Sequence, residues 1–509
     1  MSNFYITTPI YYVNDVPHIG HAYTTIACDV QARFNRIVGK DVFFLTGTDE
    51  HGQKVQKSAL TRGKSPKEHA DRLVENFKSL WEVLTISNDA FIRTTDSEHV
   101  AVVQSIMQRL KDSGDIVRRE YAGWYCTHDE MFLAEGDLKD KQCPHCHREV
   151  EYIHEDNYFF LMGKYQGRLI DHIETNPNFI LPQSRRNEVL GFLKNAGLGD
   201  LCISRPKQRL SWGILLPFDP DYVTYVWFDA LSNYYSATKY LAPILKSGEW
   251  WPADHHVIGK DILITHSIYW ATMLFALGLP LPKNIFAHGW WTVEGRKMSK
   301  SLGNVVDPFE IVETYGVDPL RYFLLKEVPF GLDGNFSREA FINRINSELA
   351  NDFGNLANRV IAMLFKYFGG KVPEPAEEER TIKILAEGIM QKMIEELKVF
   401  AFHNAMDAIW ELVSYTNKYI DDTAPWHLAK DPQKENRLKT VMYSATEVLR
   451  FLSLYLYPFM PQSTQKLWEQ LGQHGQLATV NLIEQAIWGK LAYGTVVRKG
   501  KPLFPRIDR

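Results

Sequence analysis

Residues 4–21 read "FYITTPIYYVNDVPHIGH", and the order of residue types in this stretch decides the fold. Phe4 to Val13 are mostly β-branched or aromatic, which predicts a strand. After Pro17 the pattern changes. Apolar residues recur at Ile19, Tyr23, Ile26, Val30 and Phe34, the spacing of a helix with one buried face. Then comes "DVFFLTGTDEHG" (41–52), a continuous apolar run breaking into a polar, glycine-bounded loop. Strands apolar on both faces belong in parallel sheets covered by helices, and such sheets offer functional side chains at the carboxyl ends of their strands. The expectation is an α/β nucleotide-binding sheet at the start of the chain.

Working outward, short strands, turn residues and three of the cysteines replace this pattern from about Tyr121 to about Leu216, and "YVWFDALSNYY" (225–235) resumes it. An insertion therefore splits the sheet domain. After about Asn343 the spacing is helical, with Leu385, Ile389, Met393, Leu397 and Phe400 as one series and Leu438, Val441, Ala445, Val448 and Leu452 as another. A helical bundle is expected there, with "GGKVPEPAEEER" (369–380) as an exposed loop between two of its helices. The expected divisions are 1–115 and 223–294 for the two halves of the sheet domain, 116–222 for the insertion, 295–343 for a connecting region and 344–509 for the bundle.

With 509 residues, 45% of them hydrophobic, the chain can bury several cores. Lys and Arg number 57 against 61 Asp and Glu, so a nucleic-acid contact has to come from local basic patches. "MSNFYITTPIYY" has no basic region before an apolar core and is no secretion signal. The longest apolar run, Ile268 to Leu279, is too short to span a bilayer. A cytoplasmic protein with no membrane contact is expected. Five cysteines make no disulfide scaffold. Cys28 and Cys202 read as core residues, whereas Cys126, Cys143 and Cys146 cluster.

Two stretches invite an anion. His18, Gly20 and His21 stand at the mouth of the first helix, where backbone N–H groups and the dipole favour negative charge. Far along the chain, "VEGRKMSKSLGN" (293–304) sets Arg296, Lys297 and Lys300 among Ser299 and Ser301, with no acid between Glu294 and Asp307. "SALTRGKS" (58–65) has serine where a P-loop needs its first glycine, so the usual triphosphate cradle is missing.

Taken together, "PHIGH" and "KMSKS" resemble the paired signatures of class I aminoacyl-tRNA synthetases. "TPIYYVND", "GTDEHG", "YVWFDALSNYY", "FAHGWW", "VPFGLDGNFS" and "TAPW" narrow the resemblance to the methionyl-tRNA synthetase family in its short bacterial form. It spans essentially the whole chain. It implies a Rossmann-type parallel-sheet domain split by a zinc-knuckle insertion and followed by an all-α anticodon-binding bundle. It also implies ATP-dependent formation of methionyl-adenylate, with Mg²⁺ accompanying the ATP, and transfer to tRNA(Met), initiator tRNA included.

In that pattern His18, Gly20 and His21 contact ATP from one side and Lys297, Ser299 and Lys300 clamp it from the other, with His18, His21, Lys297 and Lys300 as the catalytic set. Asp49 takes the α-ammonium of L-methionine. Ile10, Tyr12, Trp227, Ala230, Tyr234 and His288 build the pocket around the thioether; Leu231 follows Ala230 where the family often has proline. Asn355 and Arg359 of "GNLANR" and Trp426 of "TAPW" match the positions that read the anticodon. "CTHD" (126–129) and "CPHC" (143–146) match a zinc knuckle with Asp129 where a second cysteine is usual, so Cys126, Asp129, Cys143 and Cys146 are the expected ligands. His128 competes with Asp129, and His145 and His147 compete more weakly. An insertion too small for an editing domain separates the chain from the leucine, isoleucine and valine enzymes. The long helical half argues against an adenylating enzyme that ignores RNA, and the intact histidines, Lys297, Lys300 and Asp49 argue against a non-catalytic RNA-binding paralogue. Without a further β-barrel after the bundle, a monomer is expected.

Overall fold

The computed structural model describes residues 2–126, 131–133, 135–138, 140–144, 146–297 and 305–507. The opening stretch forms two strands, β1 (Asn3–Thr7) and β2 (Tyr11–Tyr12), where the sequence suggested one. Pro9, which has no N–H to give a ladder, stands in the gap. Helix α1 (Ile19–Ile37) and strand β3 (Asp41–Asp49) follow as expected.

Seven strands build the main sheet. β2, β3, β1, His255–Gly259, Asn284–His288 and Ile180–Leu181 lie in that order, with Ala90–Arg93 also paired to β3. All of these pairs are parallel. The chain winds away from β1 in both directions, so β1 and its neighbour His255–Gly259 flank the switch point where such sheets bind ligands.

The stretch 116–222 is not one inserted piece. Its first part is a long antiparallel hairpin, Ile116–Cys126 with Glu151–Phe160, and its last part a small sheet of Ser204–Pro206, Leu215–Leu216 and Asp219–Thr224. Between them Ile180–Leu181 returns to the edge of the main sheet, and Leu169, Ile173, Val189 and Leu193 pack into the core beside it. A two-residue strand carries no periodicity, so the sequence pattern could not show this return.

Helices Arg380–Lys398, Phe402–Thr423 and Glu435–Leu456 dominate the C-terminal half. One apolar core runs from Ile26, Val30 and Phe34 on α1 through Leu320 and Phe323 to Leu349, Leu412 and Leu452. A buried charge cluster crosses the same boundary. Asp29 of α1 accepts from Arg33 at 2.7 Å and Arg321 at 2.6 Å, and Arg321 donates to the carbonyls of Pro458 and Phe459 at 2.9 Å. Burial alone raises the Asp29 carboxyl, but the two guanidinium groups outweigh it and hold it at about 2. Among the described residues no helix is long and apolar enough to cross a membrane.

Candidate active site

A cavity of about 570 Å³ opens at the switch point. Ile10, Tyr12, His18, Gly20, His21, Asp49, Trp227, Ala230, Tyr234 and His288 all line it. The sheet explains the convergence. Asp49 ends β3, His288 ends the strand Asn284–His288, and α1 begins just beyond β2, so residues far apart in sequence meet at one sheet edge.

Hydrogen bonds assign the protons of the histidine pair. His18 Nδ1 accepts from Gly20 N–H at 3.1 Å, and His21 Nδ1 accepts from His18 N–H at 3.0 Å, a reciprocal cap on α1. With both Nδ1 atoms accepting, each ring carries its proton on Nε2. Burial, helped by the neighbouring His18, holds His21 well below the usual histidine range, so it is a neutral donor. A Cβ on Gly20 would lie 2.9 Å from the His18 ring, so glycine leaves that ring its place in the cap.

On the opposite wall Tyr234 donates to His266 Nε2 at 2.7 Å while His266 Nδ1–H donates to Ile262 O at 3.0 Å. His266 also lines the cavity, and burial lowers it to about 4. His288 is tied to α1. Its Nδ1–H donates to Gly289 O at 2.7 Å and its Nε2 accepts from Thr24 at 2.7 Å. Gly289 permits a close approach, since a Cβ would lie 2.2 Å from Leu332 O.

Sequence reading missed Thr24, Lys54, Gly259, Asp261 and His266, all of which line the cavity. The signal was "GKDILITHS" (259–267), where glycine and aspartate follow a strand and precede an apolar helix. That stretch reads as buried structure because its polar residues are too few to break the apolar pattern, and the π-turn Thr265–Trp270 that carries His266 has no sequence period of its own.

Arg296 and Lys297 form a short strand paired to Trp291–Val293. Ser299 and Lys300 lie outside the described residues, so the approach of this segment to the cavity stays an expectation.

In the first hairpin the thiols of Cys126, Cys143 and Cys146 lie within 4.8 Å of one another, with Cys126 and Cys146 Sγ 3.5 Å apart. Tetrahedral thiolates around zinc stand about 3.8 Å apart for Zn–S bonds of about 2.3 Å, so the trio fits that ion. Among the described residues His147 is no part of the group. Asp129, His128 and His145 lie outside the described residues.

On the bundle, Asn355 and Arg359 sit one turn apart on Asn355–Phe368. Arg359 lies 6.0 Å from the centre of the Trp426 ring and pairs with Asp421 at 2.6 Å. Asn355 and Trp426 are exposed.

Residues 4–153 and 148–361 match the family model of class I tRNA synthetases (M), and 380–493 match the anticodon-binding domain of tRNA ligases. The chain therefore belongs to the class I aminoacyl-tRNA synthetases. Within them it belongs to the methionine–tRNA ligases: it is 53% identical to the one of Caldanaerobacter subterraneus subsp. tengcongensis, over 99% of this chain and 79% of that protein. The Bacillus subtilis ligase is 46% identical, over 100% and 78%. The Mycobacterium tuberculosis methionyl-tRNA synthetase in complex with methionyl-adenylate is similar in structure, with a TM-score of 0.94 at 41% identity over 99% of this chain and 100% of that one.

Proposed function

We propose that the cavity binds L-methionine and ATP and forms methionyl-adenylate, that the bundle reads the anticodon loop of tRNA(Met), initiator tRNA included, and that the methionyl group passes to the ribose at the 3′ end of that tRNA with release of AMP. The observation that carries this reading is the convergence of the histidine pair, Asp49 and the aromatic wall on one cavity at the switch point. Methionine carboxylate attacks the α-phosphate and pyrophosphate leaves, so the protein's work is positioning and charge neutralisation.

The Nε2–H groups of His18 and His21 donate to phosphate oxygens above the α1 N-terminus, where Gly20 lets the chain approach. Lys297, Ser299 and Lys300 close from the other side, and Mg²⁺ travels with the triphosphate. Asp49 accepts from the α-ammonium, a charge-assisted pair. Ile10, Tyr12, Trp227, Ala230, Tyr234 and His288 surround the thioether, and an aromatic wall suits a polarizable sulfur. Asn355, Arg359 and Trp426 take unstacked anticodon bases, Trp426 by stacking. Cys126, Cys143 and Cys146, with Asp129 as the fourth ligand, would hold a zinc ion that braces the hairpin; four protein ligands would leave no open position for catalysis. The form we propose is a monomer acting in the cytoplasm.

ATP–pyrophosphate exchange across the amino acids tests the reading. Exchange depends on methionine, and faster exchange with leucine or cysteine overturns the assignment. For the metal, elemental analysis of protein purified without chelator gives about one zinc per chain, lost in Asp129→Ala and kept in His128→Ala; the reverse pattern makes His128 the ligand.

A further inference from the structure

Behind the cavity wall a buried carboxylate is gripped by two imidazoles. Asp229, 1% exposed, lies on the short helix Val226–Leu231, between the wall residues Trp227 and Ala230. Its Oδ2 accepts from His51 Nδ1–H at 2.6 Å and its Oδ1 from His99 Nε2–H at 2.8 Å. His99 Nδ1 meets Ser236 Oγ at 2.7 Å. Trp212 closes the cluster, its ring 5.2 Å from that of His51 and its Nε1 donating to Glu50 O at 2.6 Å.

These bonds join the helix of Asp229 to three other parts of the fold. His51 lies two residues after Asp49, on the loop leaving β3. His99 belongs to the helix Ser97–Asp112, and Ser236 to the helix Asn233–Tyr240 that also carries Tyr234. Neither Asp229, His51 nor His99 lines the cavity. Apolar side chains of similar volume would pack at least as well, because a buried charge costs desolvation that its partners only offset. What an apolar trio lacks is direction. Three bonds of 2.6 to 2.8 Å fix distances between elements, and here they fix the distance between the two walls of the cavity.

We propose that Asp229, with His51 and His99, is a strut that sets the span of the amino-acid pocket. It holds the loop bearing Asp49 at one separation from the helix bearing Trp227 and Ala230. This rests on the methionine reading of the cavity, in which Asp49 grips the ammonium end and the helix meets the thioether end. An amino acid held at both ends is measured by that separation. One methylene in an apolar pocket is worth about 10 to 200-fold in specificity, and a wall that yields forfeits it. Asp229, His51 and His99 are positioning residues.

The test is methionine-dependent exchange with His51→Leu, His51→Asn and Asp49→Ala, each also assayed with ethionine, which is one methylene longer. His51→Leu severs the strut, so the KM for methionine rises about tenfold, the loss of one charge-assisted bond. The KM for ATP stays within about twofold, and the preference for methionine over ethionine falls about tenfold. His51→Asn puts an amide N–H where Nδ1–H was and restores both values. Should His51→Leu fail to fold, Asp229→Asn keeps the shape and removes the charge; one imidazole can turn its tautomer to the new amide, so the same changes appear at smaller size. The strut is overturned if His51→Leu leaves methionine KM and the ethionine ratio at their wild-type values, or if every parameter falls together with no rescue by asparagine. Asp49→Ala separates the two readings. If it raises methionine KM while His51→Leu does nothing, only the strut is wrong; if Asp49→Ala itself leaves methionine KM unchanged, the reading of the cavity fails and the strut with it.

Discussion

The two halves of the molecule handle their polar groups in opposite ways. In the α/β half Asp49, His266 and His288 are buried around the cavity with His21 half-buried beside them, and the hydrogen bonds of His21, His266 and His288 fix which nitrogen carries each proton. In the helical half Asn355 and Trp426 are exposed, on the helix Asn355–Phe368 and the short turn Pro425–Leu428, and Arg359 is held by Asp421 beside Trp426. The difference follows from the size of what each half meets. A small amino acid and a nucleotide can be enclosed, so their recognition gains from low dielectric and preorganisation. A tRNA loop cannot be enclosed, so its reader has to be an outward face whose stiffness comes from the core beneath.

The contrast breaks if a buried pocket group and an exposed bundle group act on the same step. The largest effect is expected at Asp49. Its replacement by alanine leaves a substrate ammonium buried without its partner, so kcat/KM for methionine in the exchange assay falls about a thousandfold, roughly 4 kcal/mol. Lys300→Ala comes next, slowing single-turnover adenylate formation about a hundredfold, roughly 3 kcal/mol, with methionine affinity unchanged. An unaltered rate would return "KMSKS" to an ordinary solvated loop. Trp426→Ala loses about tenfold in kcat/KM for tRNA charging, the worth of one stacked base, and leaves exchange intact. Equal losses in both assays with a lower melting temperature would make Trp426 part of the core and end the distinction.

A further effect bears on stability rather than on rate, and concerns acid. Burial holds His266 at about 4 in the folded chain against about 6.5 unfolded. The unfolded state therefore binds more protons between those values, and stability is full above pH 6.5 and falls as pH drops toward 4, by on the order of 3 kcal/mol for this group. Melting temperatures from pH 7 to 4 show the slope, and His266→Gln flattens it. A slope unchanged in that variant would mean that His266 titrates normally.

How much of this could be read from the sequence depended on whether local pattern and tertiary role coincided. α1 and β3 were legible because a helix buried on one face and a strand buried on both have their own signatures, and the residues named for the histidine pair and the methionine pocket line the cavity, whereas Ser299 and Lys300 lie outside the described residues. Ile180–Leu181 was not legible, because two residues cannot show a period and only the sheet edge tells them apart from a loop. His266 was hidden in an apolar run. The pairing of Asp229 with His51 spans 178 positions of sequence, and nothing local to either residue announces it.

The unbroken core from α1 to the C-terminal helices also limits how this molecule can change by recombination. A crossover near residue 343 would join an Arg321 selected against one set of carbonyls to a Pro458 and Phe459 that arrived with another parent. It would also split an apolar surface whose two sides, Leu320 and Phe323 against Leu412 and Leu452, have to match in shape. Lineages can therefore trade the cysteine hairpin, which has its own small core of Cys126, Leu133 and Cys143, more readily than the helical half. The boundary that looks like a seam in the sequence is crossed by both the apolar core and the buried charge cluster.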